Sequence, residues 1–100
     1  MAKILYISGK ITGDKGYKAK FKAVADKYEA QGHTVFNPAV LPWSDEITWE
    51  QYIRISFEML KVCDTIVMLP DWQESNGARI ELAYAIEKGL EVIYEDSNTI

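Results

Sequence analysis

Short apolar segments alternate with longer segments of helical periodicity along this chain, and that alternation restricts the fold more than any other sequence feature. Short, continuously apolar runs are typical of strands that are buried on both faces of a parallel sheet. Strands that alternate with helices pair in parallel through right-handed crossovers. The sequence therefore predicts an α/β fold, a small flavodoxin-like or Rossmann-like three-layer sandwich with a four-stranded parallel sheet of order 2-1-3-4.

Glycines and cap residues set the bounds of the predicted elements. Gly32 and Gly89 stand where helices end, and Thr48 with Gln51 matches a capping box at the start of another helix. The strands are predicted at residues 3–8, 33–37, 64–69 and 91–94. The helices are predicted at residues 17–31, at 49–61, and from Ser75 or Asn76 to Gly89, and residues 95–100 are predicted to be a polar tail.

Length and composition predict one globular domain, residues 1–100, because hydrophobic residues make up 48% and charged residues 26% of the chain. No apolar run reaches the roughly 18 residues of a membrane span, and no long apolar region of a secretory signal follows the first Met. The single cysteine, Cys63, excludes an internal disulfide framework and fits a reducing cytoplasm. A net charge of −4 without a basic cluster argues against a polymeric nucleic acid as a partner.

Two polar loops are expected to flank one crevice, because each follows a strand at the point where the strand order reverses. The first has the composition of an anion cradle, in which glycines let the backbone approach a phosphate while hydroxyls and an amine add donors. Its candidate binding residues are Ser8, Gly9, Lys10, Thr12 and Gly13. The spacing fits neither a Walker A motif nor GxGxxG, and an ordinary turn between strand and helix has the same composition.

The second loop begins at Asp71 and leads into the third helix through Ser75, Asn76 and Gly77. A helix start with small residues exposes backbone N–H groups that favour an anion such as a 5′-phosphate, although plain capping requires the same residues. Asp71 follows a strand in a ligand-facing position, which is also a common position for a turn aspartate.

Glu81 is the candidate catalytic residue, because it is a carboxylate in a helical segment that is otherwise almost entirely apolar. The alternative is a glutamate that is favoured near a helix N-terminus by the helix dipole. Trp43 and Trp72 lie in loops, where an indole can stack on a base, close the core or form a dimer interface. His33 is predicted not to be catalytic, and no residues have metal-ligand spacing.

The most distinctive segments of the sequence are residues 6–13, 36–38, 49–52, 63–64 and 71–81. Together they resemble DUF4406, a family of small phage and bacterial proteins related to nucleoside 2-deoxyribosyltransferases and 2′-deoxynucleoside 5′-phosphate N-hydrolases. The resemblance extends over nearly the whole chain, and residues 77–85 match the Glu-Leu-Gly-x-Ala helix start of the characterised enzymes best.

The resemblance implies that Glu81 attacks C1′ of deoxyribose, so that the base leaves and a glycosyl-enzyme ester forms, which another base or water resolves. It also implies that Ser75 helps to bind the 5′-phosphate and that the first loop holds the sugar-phosphate end. The expected partner is a small nucleoside or nucleotide, and no cofactor is expected. Because the related enzymes complete their sites across a dimer, a homodimer or a higher homo-oligomer is expected.

Two positions depart from the related enzymes. Ser56 stands where the hydrolases carry an aspartate that orients the sugar and the nucleophile, and Ala83 replaces a usual glycine. Either catalysis uses Asp71 as the acid/base or sugar-orienting group, or the chain binds a nucleotide without turning it over. The sequence supports three hypotheses, which are an N-glycosidic bond-cleaving or transferring enzyme, a nucleotide or nucleotide-sugar binding module for sensing or sequestration, and a phage accessory protein that acts through a protein surface.

Overall fold

The computed structural model describes residues 1–95, and residues 96–100, most of the predicted polar tail, lie outside the described residues. The described residues form a four-stranded parallel sheet of order β2-β1-β3-β4, which confirms the predicted fold class and strand order. The elements in chain order are β1 (Ile4–Ser8), α1 (Tyr17–Ala30), β2 (Thr34–Phe36), α2 (Trp49–Lys61), β3 (Thr65–Met68), α3 (Asn76–Glu87) and β4 (Glu91–Tyr94). The segments Pro38–Val40 and Trp72–Glu74, which the sequence assigned to loops, each form a short 3₁₀ helix.

The side chains of the central strands β1 and β3 alternate between the two faces of the sheet. A helical layer covers each face, so both strands are buried. Tyr6 of β1 points to the layer that contains α2 and α3. Ile7 and Val67 point to the opposite face, where they pack with α1 through Phe21 and Tyr28 respectively. This arrangement explains why both strands read as continuously apolar runs in the sequence.

The helices that face the predicted crevice begin where the cap residues indicated. Thr48 Oγ1 accepts a hydrogen bond from the Gln51 N–H at 3.1 Å, and Gln51 Oε1 accepts one from the Thr48 N–H at 2.8 Å, which completes the capping box of α2. Ser75 Oγ accepts from the Ala78 N–H at 3.1 Å and is the N-cap of α3. The choice between Ser75 and Asn76 is thus resolved in favour of Ser75.

Only one face of α3 is buried, although the helix reads as apolar almost all round. Ile80 and Ile86, which the sequence placed in the apolar surroundings of Glu81, are 37% and 60% exposed. The buried residues recur at helical spacing and are Ala78, Glu81, Leu82 and Ala85. Glu81 is therefore one of four residues that the helix directs at the sheet.

The opposite edge of the sheet holds polar residues with backbone partners. The Asp64 carboxylate accepts from the Ile4 N–H at 3.2 Å, as suits the turn or cap role predicted for it. Nδ1 of His33 accepts from the Lys3 N–H at 3.0 Å at the same edge. Cys63 is buried, and its thiol donates to the Met59 carbonyl oxygen at 3.3 Å. Among the described residues, no helix combines the length and the apolar character that a membrane crossing needs.

Candidate active site

A cleft of about 420 Å³ lies at the carboxyl ends of β1 and β3, the edge to which the two polar loops were assigned. Its volume is within the usual range for sites that bind small molecules. Its polar lining residues are Lys10, Thr12, Ser56, Glu74, Ser75, Asn76 and Glu81. The aromatic residues of its wall are Tyr6, Tyr17, Phe21, Trp43, Trp49 and Tyr52.

Glu81 lies at the buried end of this cleft, with 7% of its surface exposed. The Tyr6 hydroxyl donates to Glu81 Oε2 at 2.6 Å, and the Ser8 hydroxyl donates to Glu81 Oε1, also at 2.6 Å. Tyr6 and Ser8 are two positions apart on β1, so both side chains emerge on the same face of the sheet. Each carboxylate oxygen is thus held by one hydroxyl from the central strand.

Burial and hydrogen bonding act in opposite directions on the pKa of Glu81. Burial dominates and raises the pKa above its ordinary value, while the hydrogen bonds from the Ser8 and Tyr6 hydroxyls favour the ionised form and lower it. Burial, followed by the charge of Glu81, raises the pKa of Tyr6 well above its ordinary value. Tyr6 therefore keeps its proton and remains a hydrogen-bond donor to the carboxylate.

This carboxylate is equipped to act as a nucleophile. It opens into a cleft, it is oriented through both oxygens, and two neutral donors support its charge without neutralising it. A carboxylate in this setting can form an ester with an electrophilic carbon and can later be displaced. A general base would use the same group in the same orientation.

Ser56 is buried and lines the cleft close to Glu81. Its hydroxyl donates to the Tyr52 carbonyl oxygen at 3.1 Å, the backbone acceptor one turn earlier in α2. The Ser56 side chain is therefore short, neutral and bonded to its own helix. It brings no second carboxylate to the buried end of the cleft.

The structure brings most of the predicted binding residues together around Glu81. Ser8 lies beneath the cleft surface and reaches Glu81 through its hydroxyl. The predicted residues that line the cleft directly are Gly9, Lys10, Thr12, Ser75, Asn76 and Gly77. Gly13 and Trp72 are not among the lining residues. Gly13 forms a turn with φ +82°, and Trp72 packs against the core and Tyr94.

Asp71 does not line the cleft either, and its carboxylate is engaged by the first loop and by α1. Asp71 Oδ1 accepts from the Lys10 N–H at 3.1 Å, and Oδ2 forms an ion pair with Lys20. The Lys20 amine also pairs with Asp14 and donates to the Lys10 carbonyl oxygen at 2.9 Å. Asp71 and Lys20 thus tie the loop after β1 to the loop after β3.

The charges of Lys20, Asp14 and Asp71 stabilise one another. Burial of the Lys20 amine opposes its charge, but the carboxylates of Asp14 and Asp71 outweigh that effect and raise the pKa of Lys20. The hydrogen bond from Lys20, followed by one from the Gly16 N–H, lowers the pKa of Asp14. We define the set Asp14, Lys20 and Asp71 as the loop clamp.

Replacing Lys20 with methionine should loosen the loop clamp. We expect a loss of about 1 kcal/mol in the free energy of unfolding, the upper end of the range for partly exposed pairs, because two carboxylates lose their shared cation. Urea unfolding measures this loss. Lys22→Met is the matched control, because Lys22 lies on the same helix in an exposed pair with Asp26. Equal effects of the two substitutions would contradict a structural role for the loop clamp.

Gly9 is required by a close approach between the first loop and the end of β3. A Cβ at position 9 would lie 2.7 Å from Leu69 Cδ1 and 2.8 Å from Leu69 Cβ, and Leu69 is buried. We expect Gly9→Ala to cost about 1–3 kcal/mol in the free energy of unfolding, the usual cost of overpacking. Thermal unfolding would measure the loss as a lower Tm.

Gly77→Ala is the matched control for Gly9→Ala. A Cβ at position 77 would make only ordinary contacts, with the nearest atom, Ile53 Cδ1, at 3.6 Å. Gly77 has no positive φ, so we expect stability to be unchanged or raised by up to about 1 kcal/mol. A loss at Gly77 as large as that at Gly9 would refute the close-approach explanation.

Several residues of the site were not identified from the sequence. Tyr6 reads as one more apolar residue of a buried strand, and Lys20 as one of several lysines on the solvated side of a helix. A tyrosine in an otherwise aliphatic strand is a weak signal for a buried hydroxyl that needs a partner. Trp49 and Tyr52 line the cleft because of where α2 packs. The neighbouring residues in the sequence do not distinguish them from core residues.

In the part of the chain that the structure describes, no group of three or more His, Cys, Asp or Glu residues is arranged to hold a metal ion. Glu81, Glu74 and Ser75 line the cleft, but the two carboxylates occupy different environments, since Glu81 is buried and Glu74 exposed. Glu74 Oε1 lies 3.4 Å from Lys10 Nζ in a long ion pair at the polar wall of the cleft.

The family described as "Domain of unknown function (DUF4406)" has a sequence model that matches residues 3–94. The chain therefore belongs to this family, as its motifs indicated. No curated protein matches the chain.

Among solved structures, the fold is similar to that of the CMP N-glycosidase BcmB from Clostridium botulinum. The TM-score is 0.65 and the sequence identity is 22%, over 98% of this chain and 75% of that chain. Similarity at this level of identity supports the shared α/β architecture and leaves the activity to be argued from the site.

Proposed function

We propose that this member of the DUF4406 family cleaves or transfers the N-glycosidic bond of a 2′-deoxynucleoside or its 5′-monophosphate, with Glu81 as the nucleophile. The observation that carries the proposal is the buried Glu81 carboxylate, held at 2.6 Å by a hydroxyl on each oxygen and open to the cleft. The structural neighbour BcmB, which is named as a CMP N-glycosidase, supports a nucleotide as the substrate class.

The proposed reaction has two displacements. A Glu81 oxygen forms a bond to C1′ while the C1′–N bond breaks, and its electron pair leaves with the base, which takes a proton from solvent. Water, or a second base, then attacks C1′ of the ester, gives up a proton and restores the carboxylate. Dividing one difficult displacement into two through an oxocarbenium-like transition state is the advantage of a carboxylate nucleophile.

The polar residues that line the cleft support a sugar-phosphate ligand. Lys10 and Thr12 come from the first loop, while Ser75 and Asn76 come from the start of α3. The helix start favours negative charge and the Lys10 amine adds a cation. Asp71 contributes indirectly in this proposal, since it orients the first loop through the Lys10 N–H.

The second candidate function is a nucleotide or nucleotide-sugar binding module. The observation that favours it is Ser56, whose hydroxyl is bonded to its own helix where the related hydrolases have a sugar-orienting aspartate. With Asp71 paired to Lys20, Glu81 lacks a carboxylate partner among the described residues at the buried end of the cleft. Such a site would retain the ligand and turn it over slowly or not at all.

A base-release assay separates the two functions. The protein at high concentration would be incubated with the common 2′-deoxynucleosides, their 5′-monophosphates and CMP, and free base would be measured by chromatography. Addition of a second base would report transfer through formation of a new nucleoside. We expect base release from at least one substrate.

A thermal-shift panel with the same compounds provides the second measurement. Ligand at a hundredfold excess over Kd stabilises the protein by about 2.7 kcal/mol, which raises Tm measurably. Stabilisation without base release would support the binding module against the enzyme. Neither stabilisation nor base release with any compound would refute both functions and would favour a protein that acts through a protein surface.

A further inference from the structure

The aromatic wall of the cleft contains a stacked pair of rings, Trp43 and Tyr52. Their ring centroids are 5.7 Å apart and their planes differ by 8°. Trp43 is nevertheless 65% exposed and lines the cleft. Because Tyr52 covers one face of the indole, the exposed area belongs to the other face and to the edges of the ring.

The position of Trp43 is fixed through Tyr52. The Tyr52 hydroxyl donates to the Pro42 carbonyl oxygen at 2.7 Å and accepts from the Ser44 N–H at 3.1 Å. The residues on both sides of Trp43 are thus attached to the same phenol, and Tyr52 itself lies in the capped helix α2. An exposed indole that is held in this way needs little further ordering when it binds a flat ligand.

The stacked pair lines the same cleft as the proposed nucleophile. Ser56, which lines the cleft together with Glu81, lies one helical turn after Tyr52 on the same face of α2. A base is attached directly to the sugar carbon that Glu81 would attack, so the base and the sugar of one ligand would occupy this one cleft.

The cleft residues closest to Trp43 in the chain are apolar. They are Leu41, Pro42 and Ile47, and Ile53 of α2 also lines the cleft. Such side chains can cover the faces of a heteroaromatic ring, but they cannot read its polar edges. These residues would therefore recognise a flat, aromatic ligand group, and they would discriminate only weakly between rings that differ in their polar edge groups.

We propose that Trp43, supported by Tyr52, is the base-binding residue of the cleft and stacks on the nucleobase of the bound nucleotide. This inference rests on the proposed function for the ligand class and adds the residue that binds the base. Stacking depends on the π-face that every base has. The site therefore accepts several bases, and purines, with the larger ring area, bind more tightly than pyrimidines.

The test compares ligands with and without a base in a protein that cannot turn them over. In a Glu81→Gln background, calorimetry would measure Kd for dAMP, dCMP and 2-deoxyribose 5-phosphate. We expect Trp43→Ala to weaken the binding of dAMP about tenfold or more, the loss that corresponds to one stacked base. The binding of 2-deoxyribose 5-phosphate should be unchanged, and Trp43→Phe should restore most of the affinity for dAMP.

Val40→Ala is the control, because Val40 is 77% exposed in the same loop region and does not line the cleft. An unchanged Kd for dAMP in Trp43→Ala, or an equal loss for 2-deoxyribose 5-phosphate, would overturn the inference. So would the absence of dAMP binding to both the wild type and Glu81→Gln. The test also separates this inference from the proposed catalysis. If dAMP binding depends on Trp43 but the wild type releases no base, the base-binding role of Trp43 stands and the proposed enzymatic activity is refuted.

Discussion

Glu81→Gln is expected to reduce base release about a thousandfold or more, because the substitution removes the proposed nucleophile. Glutamine has nearly the same shape, and its amide can accept a hydrogen bond from the Tyr6 hydroxyl and donate one to the Ser8 hydroxyl. The loss should therefore appear in the chemical step while nucleotide binding is retained. Single-turnover base release and the Kd for dAMP are the measurements that separate these effects.

Glu87→Gln is the matched control for this prediction. Glu87 lies at the end of the same helix, is exposed and does not line the cleft. We expect its turnover to equal that of the wild type. If Glu81→Gln instead released base at the wild-type rate, Glu81 would not be the nucleophile, whatever its position in the cleft.

The same substitution should stabilise the protein at neutral pH. Because burial raises the pKa of Glu81 above its ordinary value of 4.5, the folded state binds its proton more tightly than the unfolded chain. The stabilising contribution of Glu81 is fully present below the unfolded pKa and is lost as pH rises through the folded pKa. Glutamine cannot ionise, so it escapes that loss.

We therefore expect a higher Tm for Glu81→Gln at neutral pH, with a difference from the wild type that decreases as pH falls toward 4.5. A stabilising substitution of the usual size, about 1 kcal/mol, corresponds to a rise of about 4–8 °C in a domain of this length. Thermal unfolding at a series of pH values measures it. A difference that does not depend on pH would contradict the assignment to the ionisation of Glu81.

Tyr6→Phe is expected to cause the second-largest effect. Removing the hydroxyl deletes a hydrogen bond to the Glu81 carboxylate, and such bonds to charged groups are worth about 1.5–3 kcal/mol. Because that bond lowers the pKa of Glu81, its loss raises the pKa further. The acidic limb of the pH profile of kcat/KM should move to higher pH, and the rate on that limb should fall about tenfold or more.

The pH profile distinguishes this role from a merely structural one. If Tyr6 acts on the ionisation of Glu81, activity recovers in part at higher pH, whereas a general distortion lowers the rate equally at every pH. Tyr84→Phe is the control, since Tyr84 is a half-buried tyrosine of α3 that stacks on Phe57 outside the cleft. Its profile should match that of the wild type.

The sequence predicted the architecture because the signals for it are local. Apolar runs, helical spacing and the Thr48–Gln51 capping box each lie within a few residues and predicted the elements. The rules for parallel α/β sheets then predicted the strand order that the structure confirms. Glu81 could also be identified from the sequence, since a charged side chain is unexpected in a helical segment whose other residues are almost all apolar. The resemblance to DUF4406 rested on the same segments that the family match covers.

The partners of Glu81 depend on contacts between distant parts of the chain. Tyr6 and Ser8 are separated from Glu81 by 75 and 73 residues, and no periodicity within β1 distinguishes a hydroxyl that meets a carboxylate from one that meets solvent. The sequence likewise did not determine which groups the Asp71 carboxylate contacts. The same aspartate could face the cleft or pair with Lys20, and only the packing of α1 against the sheet decides for Lys20.

The sequence by itself thus predicted where a cleft would lie and that Glu81 would face it, because strand ends and helix starts follow from local chemistry. The tertiary structure alone decided which groups support the carboxylate and which rings, Trp43 and Tyr52, form the wall beside it. The physical reason is that hydrogen bonds and stacking act over a few ångströms. Their partners are set by how helices and strands pack, which residue spacing does not encode.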